Sequence, residues 1–114
     1  MIDTFRYTGE GFLALKEFEG WKIGILRHSE RFSRLSEMER HLETDEVFVL
    51  LGGTATLYTE DEICPMESHV LYSIPKGEWH HIVVSEDANV LVIENSNTSI
   101  NNTQKKGADV HADK

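Results

Sequence analysis

From residue 12 to residue 95 the apolar residues fall in short runs separated by turn residues about every ten positions. This is the signature of short antiparallel strands closing into a sandwich or barrel. Phe12–Leu15 and Trp21–Leu26 flank Glu19-Gly20, which predicts a hairpin. Val47–Leu51, the Gly52-Gly53 pair and Thr54–Thr59 predict a second hairpin. An acidic loop, Glu60–Ser68, leads to a strand over Val70–Ile74. Pro75-Lys76-Gly77 turns the chain into a strand over Trp79–Val84, and Glu86–Asn89 turns it into a last one at Val90–Ile93. Arg27–Asp45 is polar, with Phe32, Leu35, Met38 and Leu42 at spacings of three and four. That spacing fits one or two helical turns, and equally a surface loop draped over a core.

After Asn95 the chain turns to Ser, Thr, Asn, Gln, Lys and Asp, with Ile100 and Val110 as the large apolar residues left. The expectation is one β domain over residues 1–95 and a polar, loosely ordered tail over residues 96–114. A total of 114 residues leaves no room for two domains. Hydrophobic residues at 39% and charged residues at 27% are an ordinary globular mix. Lys and Arg number 11 against 20 Asp and Glu, for a formal charge of −9. Phosphate backbones and anionic lipid are repelled by such a balance, so nucleic acid and membrane surfaces are not expected partners. No stretch reaches the roughly 20 apolar residues of a membrane span. Asp3 and Glu10 interrupt the first residues, unlike a signal peptide, and the lone Cys64 has no partner for a disulfide. A cytoplasmic location is expected.

Two segments carry candidate chemistry. Glu39 and His41 are two apart and share a face of an extended chain. Glu46 follows five residues later and converges with His41 only if Leu42–Asp45 bends, which Thr44 and Asp45 allow. Along its strand Glu46 shares a face with Phe48 and Leu50, and His80 shares one with Ile82 and Val84. A carboxylate aimed at an apolar interior costs several kcal/mol unless it is paired or binds a metal. Two imidazoles and one or two carboxylates aimed into one cavity suit a divalent transition metal: Fe, Mn, Zn, Ni or Cu.

Glu39-Arg40-His41, four residues, Glu46, six residues and Gly53 resembles the first motif of the cupin superfamily. Pro75-Lys76-Gly77-Glu78-Trp79-His80 resembles the second, and the two together cover roughly residues 21 to 95. The resemblance implies an all-β, antiparallel jelly-roll barrel with a metal near its centre, held by His41, Glu46 and His80, and often a homodimer. The family's first histidine is Glu39 here, which leaves two histidines with either two carboxylates or one. A further histidine of some cupin sites has no counterpart near Glu86–Asn89.

His81 is expected to face away from the cavity, toward a dimer surface, because it alternates with His80. His28 reads as a loop residue near the barrel mouth, and His69 and His111 as loop and tail. Val47, Val49 and Leu51 put a second apolar face on a strand whose first face lines the barrel. A second copy of the chain is the expected cover, helped by the Phe12–Leu26 hairpin. Cupins host isomerases, dioxygenases, lyases and plain binding modules, so the resemblance assigns no reaction. The leading expectation is a metal-dependent protein that acts on or binds a small molecule, with Glu39 as the nearest base if it is not a ligand. The alternative is a non-catalytic ligand-binding or sensor module with the same barrel.

Overall fold

The computed structural model describes residues 1–108. Ten strands run in chain order: β1 Gly11–Phe18, β2 Trp21–Arg27, β3 Glu37–His41, β4 Glu46–Gly52 and β5 Ala55–Thr59, then β6 Ile63–Pro65, β7 Leu71–Ile74, β8 His80–Val84, β9 Asn89–Asn95 and β10 Thr103–Gly107. They form two five-stranded sheets, ordered β1-β2-β9-β4-β7 and β10-β3-β8-β5-β6, in which all paired strands are antiparallel. The all-β jelly-roll expected from the strand pattern is the architecture observed.

Alternation sets the core. Phe48 and Leu50 of β4, Val90 and Val92 of β9, Leu57 of β5, and Ile82 and Val84 of β8 point between the sheets and are buried together. Fully burying one such side chain is worth about 1.5–3 kcal/mol. Ile23 and Ile25, Leu91 and Ile93, and Val47 and Val49 pair across the opposite face of the first sheet and are half-buried. Leu51 and Leu71 on the same face are exposed.

The first hairpin forms as expected, closing at Glu19 with a positive φ of 51°. Inside it, a Cβ on Gly24 would sit 2.3 Å from the Leu13 carbonyl oxygen, so only glycine permits the approach.

The second expected hairpin does not form. β4 and β5 belong to different sheets, and Gly52-Gly53 carries the chain from one to the other. Gly53 takes φ +74°, and its missing Cβ would lie 2.6 Å from Ala88 Cα. The glycine pair therefore serves a corner against the β8–β9 turn, which hydrophobic pattern alone does not separate from an in-plane reversal.

Residues 28–36 contain no helix. Phe32 enters the core from this loop, and its carbonyl accepts from Val84 N, while Met38 is buried on β3. The three-and-four spacing thus joins a loop residue to strand residues rather than one helical stripe. A short strand, β6, interrupts the acidic loop.

Residues 96–108 also depart from the loosely ordered tail. A one-turn 3-10 helix, Ile100–Asn102, leads into β10, which pairs with β3 from Thr103↔His41 to Gly107↔Glu37. An edge strand with one wet face needs little apolar content, so its polar sequence conceals it. The rest of that expected tail, with Val110 and His111, lies outside the described residues.

Candidate metal centre

One end of the barrel gathers the titratable residues. β3 supplies Glu39 and His41, β4 begins at Glu46, and β8 begins at His80, which pairs with Glu39. The bend expected at Leu42–Asp45 is present, and it is clasped to the Pro75–Gly77 turn. Asp45 Oδ1 accepts from Lys76 N at 2.8 Å, and the His41 carbonyl accepts from Gly77 N at 2.8 Å. Gly77 has φ +84°, a conformation that favours glycine. The two sequence motifs are therefore bolted together by their own turns.

Glu39, His41, Glu46 and His80 each offer one ligand atom, and these atoms all lie within 4.8 Å of one another. His41 Nε2 is 2.9 Å and His80 Nε2 3.0 Å from the same oxygen, Glu46 Oε1. Glu39 Oε2 is 3.6 Å from His41 Nε2, while its Oε1 accepts from Arg31 at 2.7 Å. Arg31 also donates to Glu37 at 2.9 Å.

Both rings are anchored from behind. His80 Nδ1 lies 3.0 Å from the Glu78 carbonyl oxygen, and His41 Nδ1 lies 2.9 Å from Thr103 Oγ1. A carbonyl only accepts, so His80 Nδ1 carries the proton, and a neutral His80 turns an Nε2 lone pair toward Glu46. A lone pair facing a carboxylate at 3.0 Å requires a positive charge between them, either a proton or a metal ion. Two nitrogens and two carboxylates, with the histidine tautomer fixed from behind, are a donor set that fits a divalent transition metal.

The protonation equilibria express the same tension. Burial drives the Glu46 pKa upward, but the hydrogen bonds and charges of His41 and His80 outweigh it and hold the carboxyl at about 2. Burial works to lower His41 and His80, and Glu46 reverses the sign and leaves both raised. Glu94 completes the cluster. It is buried on β9 beside Glu46, and burial, reinforced by hydrogen bonding to Glu46 and by its charge, lifts its carboxyl to about 7 against the pull of Lys22, 3.5 Å away.

Glu94 and Thr103 are absent from the residues picked out by sequence. Glu94 has a sequence signal, since it keeps the parity of Val90 and Val92, the two inward residues before it. Thr103 has none, because β10 carries no apolar pattern.

Contrary to the expected orientation away from the cavity and toward a dimer surface, His81 is buried and is among the residues that line the cavity. Its ring is buried and stacks on Phe32 at 5.8 Å, and its Nε2 meets the Arg31 carbonyl at 3.1 Å, so the chain's own loop covers it. Burial and the Arg31 guanidinium lower its pKa. His28 is a half-buried loop residue that does not line the cavity beside the cluster, and His69 is exposed. That cavity encloses about 500 Å³. Phe12, Leu26, Phe48 and Val92 give it apolar walls, and Thr103 and Lys105 of β10 also line it.

Two sheets facing each other with this residue cluster at one end define a cupin-fold barrel, the fold that the two motifs imply. Solved structures carry the likeness. A cupin-2 domain protein from Shewanella frigidimarina is 22% identical, over 78% of this chain and 84% of that one, with a TM-score of 0.63. Pac13 from Streptomyces, a nucleoside dehydratase also solved with uridine, reaches a TM-score of 0.71 at 9% identity, over 94% of this chain and 92% of that one. An RmlC-like cupin with a double-stranded β-helix fold from Methanocaldococcus jannaschii reaches 0.62 at 12% identity, over 83% and 91%. These likenesses are of fold. No family model and no curated protein matches the chain in sequence.

Proposed function

We propose that the chain binds one divalent transition metal through His41, Glu46 and His80, with Glu39 as a fourth ligand, and uses it to act on a small molecule in the barrel. The observation that carries this reading is the convergence of two back-anchored imidazole Nε2 atoms on one buried carboxylate oxygen. It opens on a cavity of about 500 Å³, within the range of small-molecule sites. A metal held there would serve as a Lewis acid toward an oxygen of the bound molecule. The Glu78 carbonyl fixes the His80 tautomer, Thr103 orients the His41 ring, Phe48 and Val92 give the cavity apolar walls, and Glu94 holds a proton near neutral pH. The cupin-fold neighbours include the nucleoside dehydratase, which supports a catalytic reading without assigning a reaction.

The non-catalytic alternative has one observation in its favour. Glu39, the nearest base if it is not a ligand, is engaged by Arg31 at 2.7 Å. A turnover screen on metal-loaded protein separates the two. Consumption of a bound small molecule that stops in His80→Ala supports the enzyme, whereas stoichiometric binding without turnover supports the sensor.

The protein is further proposed to be a cytoplasmic homodimer joined through the outer face of the first sheet, where Val49, Leu51 and Leu71 lie beside Ile25 and Leu91. Light scattering at about 100 μM should give twice the chain mass, and Val49→Lys should halve it. A monomer under these conditions refutes the dimer. No helix among the described residues is long and apolar enough to cross a membrane.

A further inference from the structure

Glu39 is held differently from the rest of its cluster. His41, Glu46 and His80 are buried and hydrogen-bonded to one another. The Glu39 side chain is 20% exposed, and among the described residues it receives one hydrogen bond, from Arg31. Lys105, its register partner on β10, makes no ion pair with it among the described residues. The guanidinium divides the carboxylate: Nη2 donates to Oε1 at 2.7 Å, which leaves Oε2 toward the cluster, 3.6 Å from His41 Nε2.

Arg31 is itself fixed at both ends. Its Nε donates to Glu37 Oε2 at 2.9 Å, so one planar fork spans two acids that share a face of β3. Its carbonyl accepts from His81 Nε2 at 3.1 Å, and the next carbonyl, of the buried Phe32, accepts from Val84 N at 2.9 Å. The main chain on either side of the guanidinium is thereby tied to β8, and the guanidinium lies 5.0 Å from the Phe32 ring centroid. A glutamate left to itself samples a broad terminal torsion, whereas this clamp settles the torsion before an ion arrives.

We infer that Arg31 is a positioning residue of the metal centre, which presents Glu39 to the ion through Oε2 alone and keeps Oε1 for itself. This rests on the metal reading above and adds to it the group that makes Glu39 a ligand. Charge by itself would act in the opposite sense, because a cation beside a divalent ion repels it. The gain lies in orientation, and orientation needs the fork. A lysine at this position keeps the charge but, as a compact point donor, does not reproduce the fork across Glu37 and Glu39.

The test is cobalt(II) binding to the full chain, with affinity read by competition with a chelating dye and the donor set read from the visible absorption of the bound ion. Arg31→Lys should weaken cobalt binding about tenfold and move the absorption toward that of Glu39→Gln. The Arg31 side chain is 39% exposed and its main-chain ties remain in the variant, so the fold should hold. In a Glu39→Gln background the same Arg31→Lys change should alter affinity by less than about twofold, because Arg31 acts through Glu39. Glu37→Gln weakens the second anchor of the fork, leaves the loop untouched and should shift the absorption in the same direction. Wild-type cobalt binding in Arg31→Lys, an equal cost in both backgrounds, or an absorption unmoved by Glu37→Gln overturns this inference alone. Glu39→Gln that matches wild type overturns it together with the fourth ligand and leaves His41, Glu46 and His80 standing. A chain that takes up no cobalt overturns the metal reading and this inference together.

Discussion

Replacing Glu94 with glutamine should change the pH dependence of the metal-free protein more than its fold. Glu94 is buried beside Glu46, and its carboxyl titrates at about 7 in the folded chain, against a reference value of 4.5. A raised folded-state pKa means that the protonated side chain is favoured by folding. Stability from this group is fully present below about pH 4.5 and is lost as pH rises through about 7. Raising the carboxyl from 4.5 to about 7 corresponds to about 3 kcal/mol lost by pH 8. A glutamine amide keeps the shape and a donor toward Glu46 but cannot ionise. Glu94→Gln should therefore match wild type near pH 4.5 and exceed it by up to about 3 kcal/mol at pH 8. In a chain of this size that is a melting temperature higher by about 10 °C. Circular-dichroism melts of chelator-treated protein between about pH 4.5 and 8 measure it. A variant offset from wild type by the same amount at every pH would refute the reasoning, because burial and the neighbouring Glu46 would then not be raising the Glu94 carboxyl.

Thr103→Val removes the hydroxyl behind His41 Nδ1 at 2.9 Å and should weaken metal binding about tenfold with the fold intact, read by competition with a chelating dye. Unchanged affinity would mean that β10 does not orient the ring. Gly53→Ala puts a Cβ 2.6 Å from Ala88 Cα at a φ of +74° and should cost about 2–3 kcal/mol in urea unfolding. A neutral result would show that the corner between the sheets can relax.

The inward faces were legible because the two-residue period is strict wherever a strand borders the core. Phe48 and Leu50 place Glu46 in the interior, and Ile82 and Val84 do the same for His80. The same rule reaches Glu94 once β9 is carried past Ile93 to Asn95. What sequence did not convey lies where hydrophobic burial is not the organising force. β10 is polar because its outer side is wet, so Thr103 and Lys105 look like tail residues although they line the cavity. Gly52-Gly53 is a corner rather than a hairpin, because the conflict with Ala88 is distant in sequence. His81 is covered by the Arg31–Phe32 loop, a tertiary contact that strand alternation does not encode.

The central claim is that His41 and His80, converging on Glu46, hold a metal. Metal content measured by inductively coupled plasma mass spectrometry, together with the melting temperature, from about pH 8 to 5 on wild type, His41→Ala and His80→Ala tests it most directly. The account predicts one divalent ion per wild-type chain, lost steeply below about pH 6 as protons claim the imidazole nitrogens, with the melting temperature falling alongside. Metal-free protein should show the reverse slope. His41 and His80 have raised pKa values there, so their pairing with Glu46 stabilises the fold below about pH 6.5 and fades as pH rises through those values. Stoichiometric metal that survives loss of either histidine, or metal content and melting temperature both flat across this range, would contradict the account and leave the two imidazoles as ion-pair partners of a buried carboxylate.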